Sequence, residues 1–231
     1  MAGAGMSEWH NFTDREALDH SLTAYIVSKL ALGIAARGAA YLVVSGGSTP
    51  VNLFSLLSAS HLDWKNVVVL LADERCVPVD HQDRNERLVR EVLLTGKAEQ
   101  AQFLSLMPTR DDATVNIEAL SSLLSSLPRF DVVLLGMGED AHTASLFPCA
   151  SALKDGLTTD EGALITLPKT AAHARVSMSR RRLQAVDHGV IHITGETKKT
   201  ILERAVERGD ETRYPITAFW GPSGFDCWWA P

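Results

Sequence analysis

The sequence has only three cysteines, Cys76, Cys149 and Cys227. The number is odd, no two lie close together, and no CxxC occurs, so neither a disulfide framework nor a zinc ribbon is supported. Cys76 and Cys149 are expected to be small buried residues. Aromatic residues are scarce, at 6%. Basic side chains are outnumbered, with 22 Lys and Arg against 28 Asp and Glu and a formal net charge of −6. That balance lacks the electrostatic footprint of a nucleic-acid binder and disfavours an anionic membrane surface. Long apolar runs are also missing. The longest, such as Val67–Ala72 and Val132–Leu135, are far too short to cross a bilayer. The first twenty residues contain neither a basic n-region nor an apolar h-region, so no secretory signal is visible and a cytoplasmic protein is expected. No repeat, low-complexity tract or linker divides the 231 residues. One domain over 1–231 is expected.

Short apolar runs alternate with longer amphipathic ones, the pattern of an α/β fold. Thr13-Asp14-Arg15-Glu16 reads as a capping box with Thr13 as N-cap. The helix after it carries Leu18, Leu22, Ile26 and Leu30 at helical spacing and stops at Gly38. Further helices are expected over Pro50–Ser58, Asn85–Leu94, Ala113–Leu127 and Glu196–Arg208. Strands are expected at Tyr41–Ser45, Val67–Ala72, Phe103–Met107, Phe130–Leu135, Ala163–Leu167, Arg175–Met178 and Val190–Thr194, with a last one at Tyr214–Trp220. The order predicts a doubly wound, mostly parallel, Rossmann-like sheet with helices on both faces. Ligands in such folds sit beyond the carboxyl ends of the strands, which directs attention to three turns.

The first is Ser45-Gly46-Gly47-Ser48-Thr49-Pro50. Glycines permit a tight turn and a close approach by a ligand. Ser48 and Thr49 add hydroxyl donors, and the following helix start adds unpaired N–H groups. This suits a phosphate, and equally a plain glycine turn with a Ser/Thr cap. It is neither a Walker A loop nor GxGxxG. The second is Ala72-Asp73-Glu74-Arg75. Three consecutive charges at a strand end face a cleft or solvent. Arg75 is suited to an anionic group. The following stretch with Asp80, His81, Asp83 and Asn85 also fits a solvated loop with local salt bridges. The third is Leu135-Gly136-Met137-Gly138-Glu139-Asp140-Ala141-His142, continuing Thr143-Ala144-Ser145-Leu146-Phe147-Pro148. His142 can exchange a proton near neutral pH, and Asp140 can orient its ring. Ser145 lacks the GxSxG setting of a nucleophile. His10, His20 and His61 fall on surface or loop segments, and His173, His188 and His192 fit ordinary structural roles.

Together the segments SGGSTP (Ser45–Pro50), ADERCVPVDHQDRN (Ala72–Asn85) and LGMGEDAHTASLFP (Leu135–Pro148) resemble the 6-phosphogluconolactonase family, part of a larger group with glucosamine-6-phosphate isomerases and deaminases. ARVSMS (Ala174–Ser179) and GETKKTILERA (Gly195–Ala205) match more weakly. HTASLFP favours the lactonase branch. The resemblance implies hydrolysis of 6-phospho-D-glucono-1,5-lactone to 6-phosphogluconate in the oxidative pentose phosphate pathway. It implies neither metal nor organic cofactor. The partner expected is the small-molecule sugar-phosphate lactone, with no nucleic acid and no membrane, for a monomer or homodimer.

It also implies site roles. The Gly46–Thr49 turn with Arg175 and Lys198 would hold the phosphate, Lys199 being the other lysine the GxxK match admits. His142 would be general base, Asp140 its orienting partner, and Arg75 the group that stabilises the developing oxyanion or holds sugar hydroxyls. Asp73, Glu74 and Asn85 would shape that loop. Two positions depart from the family pattern. Ala141 stands where Gly is usual, so a left-handed backbone there would be strained and would shift His142. Arg84 stands where a small Ser is usual, and is expected to alter the site entrance. The rival reading is a sugar-phosphate isomerase or deaminase acting on glucosamine 6-phosphate. A sugar-phosphate-sensing regulator ranks lower, because only about a dozen residues precede the first helix and a helix-turn-helix needs more.

Overall fold

The computed structural model describes residues 6–107 and 115–231. The elements in chain order are β1 (Trp9–Asn11), α1 (Arg15–Arg37), β2 (Ala40–Val44), α2 (Val51–Ala59), β3 (Val67–Leu71), β4 (Asp73–Arg75), α3 (Asn85–Leu88), β5 (Gln102–Leu104), α4 (Ile117–Ser126), β6 (Phe130–Leu135), α5 (Leu153–Thr158), β7 (Ala163–Thr166), β8 (Arg175–Met178), α6 (Arg180–Gln184), β9 (Val186–Thr194), α7 (Glu196–Arg208) and β10 (Phe225–Ala230).

Seven strands form one sheet in the order β1-β10-β9-β6-β2-β3-β5. Every neighbouring pair in it runs parallel. All six residues of β6 are buried. Successive side chains of a strand point to opposite faces, so both faces of the sheet are covered. In α1, the apolar stripe Leu18, Leu22, Ile26 and Leu30 is fully buried. The N-cap of α1 is Asp14 rather than Thr13: its carboxylate accepts the Ala17 N–H at 2.8 Å, and Thr13 only donates to Asp14. A carboxylate is as good a cap as a hydroxyl and adds charge at the positive helix end. Gly38 closes the helix at φ 79°.

A second sheet of three antiparallel strands, β4-β8-β7, was not anticipated. The segments Ala163–Thr166 and Arg175–Met178 belong to it rather than to the parallel sheet. Its partner strand is the charged triplet Asp73-Glu74-Arg75, read from the sequence as a turn. The expected strand Tyr214–Trp220 is a 3₁₀ turn, Pro215–Phe219, and the last strand is β10. Pro215 lacks the N–H a strand ladder needs. The helix expected over Asn85–Leu94 is one α turn continued by a π turn, Val89–Leu93. Of the helix expected over Ala113–Leu127, α4 is present, and Ala113 and Thr114 lie outside the described residues.

β2 is flanked by β3 on one side and β6 on the other. The chain therefore reverses its direction of winding there, opening a crevice beyond the carboxyl ends of these strands. The Trp228 and Trp229 side chains are buried, with Trp228 stacked on Phe12 at 5.4 Å, so they are core.

Candidate active site

A cavity of about 250 Å³ occupies that crevice. Its walls come from the turn after β2 (Ser45–Pro50), the loop after β6 (Gly136, Met137, Gly138, His142), the start of the second sheet (Asp73, Arg75), Asn85, and Lys198 of α7. The three turns singled out in the sequence thus meet in one place. Ser45 joins two of them, donating to the Leu134 carbonyl at 3.1 Å and accepting the Gly136 N–H at 3.3 Å.

Both glycines of the turn are required, Gly47 by its φ of 94° and Gly46 by a close neighbour. A Cβ on Gly46 would lie 2.0 Å from the Asn85 Oδ1 atom. Asn85 is buried there and donates to the Asp73 carbonyl at 3.1 Å. Asp73 is also buried, and accepts the Ser145 hydroxyl at 2.5 Å. Ser145 is itself buried.

In the loop after β6, His142 Nδ1 lies 2.5 Å from Asp140 Oδ1, and its ring stacks on Phe147 with centroids 3.9 Å apart. Burial raises the Asp140 carboxyl, but the hydrogen bond and charge of His142 outweigh it and hold it below the usual range. Gly138 lets the ring in: a Cβ there would lie 2.2 Å from both His142 Cε1 and Nδ1. Ala141 is fully buried with φ 62°, and Ala144 has φ 47°. The left-handed backbone at Ala141 is real, yet the 2.5 Å contact between His142 and Asp140 is kept.

Of the two lysines, Lys198 lines the cavity, whereas Lys199 lies over the Trp229 ring at 3.8 Å. Burial pulls the Lys198 ammonium below its usual range, partly offset by Glu139. Arg175 does not line this cavity. It lines an adjoining one of about 480 Å³, which shares Asp73, Arg75, His142 and Ala144 with the first. Arg75 and Arg175 face each other across β4 and β8. Like charges directly opposite repel. Both Nε atoms are buried without a hydrogen-bond partner. Burial, then the charge of Arg75, lowers Arg175. An anion between them would satisfy both.

Glu74 and Arg84 lie elsewhere. Glu74 is buried, lines neither cavity, and accepts the N–H groups of Arg75, Asn85 and Glu86 at 2.6, 2.8 and 2.7 Å. Burial pushes it up to about 7 against these donors and Arg84. Arg84 is 2% exposed and donates to the carbonyls of Val77 and Met107. It braces the loop from beneath and does not touch the entrance. Cys76 and Cys149 are half-buried, not buried as expected.

His192, which fits an ordinary structural role in the sequence, belongs to the site. It lines the cavity, and its Nε2 is buried without a hydrogen-bond partner. Burial pushes it down to about 4, so it stays neutral at pH 7, and its 3.6 Å approach to Asp19 is not an ion pair. The available signal was its place in β9, three residues before Gly195.

The sequence profile of the glucosamine-6-phosphate isomerases/6-phosphogluconolactonase family matches residues 13–229. The chain belongs to this family. Among its members, the 6-phosphogluconolactonase of Rhizobium meliloti is 40% identical over 227 residues, covering 96% of this chain and 98% of that protein. The 6-phosphogluconolactonase of Pseudomonas aeruginosa is 38% identical, covering 94% and 92%. The crystal structure of a 6-phosphogluconolactonase from Shewanella baltica superimposes with a TM-score of 0.90 at 39% identity, covering 98% of this chain and all of that one. The seven-stranded parallel sheet is thus the family fold.

Proposed function

We propose that this chain is a lactonase that hydrolyses 6-phospho-D-glucono-1,5-lactone to 6-phosphogluconate, working as one domain in the cytoplasm as a monomer or homodimer. The observation that carries the reading is one cavity with the Gly46–Thr49 turn and Lys198 in its wall together with the His142–Asp140 pair. The relatives named lactonase support the same choice over the isomerase branch.

The phosphate is taken by the backbone N–H groups and hydroxyls of Gly46, Gly47, Ser48 and Thr49, with Lys198 as cation. Its binding energy positions the ring without being consumed in the reaction. His142 Nδ1 is engaged by Asp140, which leaves Nε2 to take a proton from the attacking water. The water oxygen bonds to the lactone carbonyl carbon, and charge moves onto the carbonyl oxygen. Arg75 stabilises that charge, with Arg175 beyond it receiving the carboxylate of the product. Collapse breaks the bond to the ring oxygen, which recovers the proton from the imidazolium. Asp73 and Asn85 hold the Arg75 strand against the glycine turn.

The test is a coupled assay in which the lactone is formed in situ and its disappearance is compared with the spontaneous rate. Faster loss by the native chain, lowered strongly in His142→Ala with affinity for 6-phosphogluconate retained, is expected. Ammonia release from glucosamine 6-phosphate, without lactone hydrolysis, would assign the chain to the other branch.

A further inference from the structure

In the sequence, His81 and Asp83 fit a solvated loop and His173 a structural role. The fold brings them together. β4 and β8 pair with Arg75 opposite Arg175, and the ladder continues through the Cys76 N–H to the Ala174 carbonyl at 2.8 Å. That register sets His173 at the root of the loop that follows β4. The loop turns tightly, with the His81 N–H on the Pro78 carbonyl and the Arg84 N–H on the His81 carbonyl, at 3.1 and 3.0 Å. One ring nitrogen of each histidine and one Asp83 carboxylate oxygen lie within 4.8 Å of one another. His173 Nε2 is 2.9 Å and His81 Nδ1 3.9 Å from Asp83 Oδ2. All three side chains are between a quarter and a half exposed, so an ion can reach them.

We propose that His81, Asp83 and His173 bind a transition-metal dication of the zinc class, outside the reacting centre. Zinc bonds of about 2.0–2.1 Å place tetrahedral donors about 3.4 Å apart, between the two separations seen at Asp83. Two imidazoles and a single carboxylate select zinc, cobalt or nickel over calcium and magnesium, which demand more oxygens. The fourth position faces solvent and takes a water. Arg75 and Arg175 lie nearby, and their charge works against a cation. Affinity is therefore weaker than that of a dedicated structural site.

The ion has a route to the cavity. The Arg75 guanidinium donates to the backbone carbonyl of Asp83. Fixing Asp83 fixes the anchor of Arg75 and adds positive charge beside an anion site. The consequence for turnover rests on the lactonase reading; binding itself does not.

The test is titration of the full chain with Co²⁺, followed by its visible bands, and with Zn²⁺ by calorimetry. One ion per chain is expected. His81→Ala and His173→Gln should each weaken binding at least ~10-fold. Glutamine can keep the hydrogen bond to Asp83 while removing the imidazole, and an unchanged Tm in chelator shows that each variant is folded. Bound Zn²⁺ should raise kcat for the lactone at least about twofold with KM little changed, and His173→Gln should abolish that effect. No saturable binding, or equal binding by native chain and variants, overturns the site. Saturable binding that leaves kcat unmoved overturns the coupling through Arg75. Because binding is read without substrate, a chain that binds cobalt but does not hydrolyse the lactone would refute the functional reading and not the metal site.

Discussion

Replacing Gly138 by alanine disables His142 without altering it. The added Cβ would lie 2.2 Å from His142 Cε1 and Nδ1 and 2.9 Å from Asp140 Oδ1, where ordinary contact begins near 3.4 Å. The imidazole must retreat by at least about 1 Å, and a misplacement of that size costs ~10²-fold in rate. A ring driven off its partner altogether forfeits the whole contribution of a positioned base, ~10²–10⁴-fold. Folding suffers much less. His142 is 28% exposed at its side chain and can swing outward. The loss is chiefly its stack on Phe147, worth ~0.5–1.5 kcal/mol, or a Tm lower by a few degrees for a chain of this size. Gly138→Ala should thus lower kcat at least ~10²-fold, with KM and Tm little changed, in the coupled lactone assay corrected for spontaneous hydrolysis. The double variant with His142→Ala should be no slower than His142→Ala alone, because the second change removes what the first displaced. A Gly138→Ala enzyme within threefold of native kcat would mean that the ring's position is not used in the reaction. Multiplying effects in the double variant would mean that the glycine acts by another route.

Ser145→Ala removes the donor from a buried Asp73 carboxylate and should cost ~1.5–3 kcal/mol by denaturant unfolding. Arg84→Met leaves Glu74 and Glu86 buried without the guanidinium that lies 3.5 and 3.2 Å from them. A loss of ~3–5 kcal/mol is expected. That loss should be smaller at pH 5 than at pH 8, because a carboxyl held up in the folded state contributes fully at low pH and loses that contribution as pH rises through its folded value. His192 shifts the opposite way, to about 4 from 6.5. Its unfolded form takes a proton below pH 6.5 that the folded form refuses until about 4. The stability of native chain relative to His192→Gln should therefore fall by about 3 kcal/mol between those pH values, measured by urea unfolding across the range.

The parts of this fold that could be read from the chain are those set locally. Phe130–Leu135 is apolar but for Asp131, and it is β6 with every residue buried. The helix Glu196–Arg208 has the ends expected of it, because Gly195 and Gly209, at φ 88° and 63°, punctuate it. What escaped was set by distant partners. Asp73-Glu74-Arg75 has no strand pattern, and becomes β4 only because β8 supplies the ladder. Phe225–Ala230 lies in none of the expected strands, and is held between β9 and the N-terminal β1. The site followed the same division. His142, Asp140 and the glycine turn stand at strand ends, whereas Lys198 comes only with the family resemblance, which admits Lys199 as well. His192 sits inside a strand, and only three-dimensional placement shows that it borders the cavity.

The loop that carries His142 is held in a shape its own residues do not prefer. Two alanines in left-handed backbone cost ~1–2 kcal/mol each, a sizeable part of the ~5–15 kcal/mol that separates a typical folded domain from its unfolded chain. Such strain persists only where the surroundings over-determine the backbone, and here they can be named. The Ala141 carbonyl accepts the Ile216 N–H at 3.0 Å from the 3₁₀ turn, and its N–H returns to Gly138 at 3.0 Å. Thr143 donates to the Gly136 carbonyl at 2.8 Å, and the Ser145 N–H is taken by Ser177 of β8 at 3.2 Å. Two separate elements, β8 and the Pro215–Phe219 turn, and the residue that directly follows β6 therefore hold one short loop. Glycine at 141 would relax the backbone but bury less surface and free the unfolded chain, two losses that together roughly cancel the relief. Alanine is tolerated at this position because the loop's conformation is dictated from outside it, and the same external clamps keep the imidazole against Asp140.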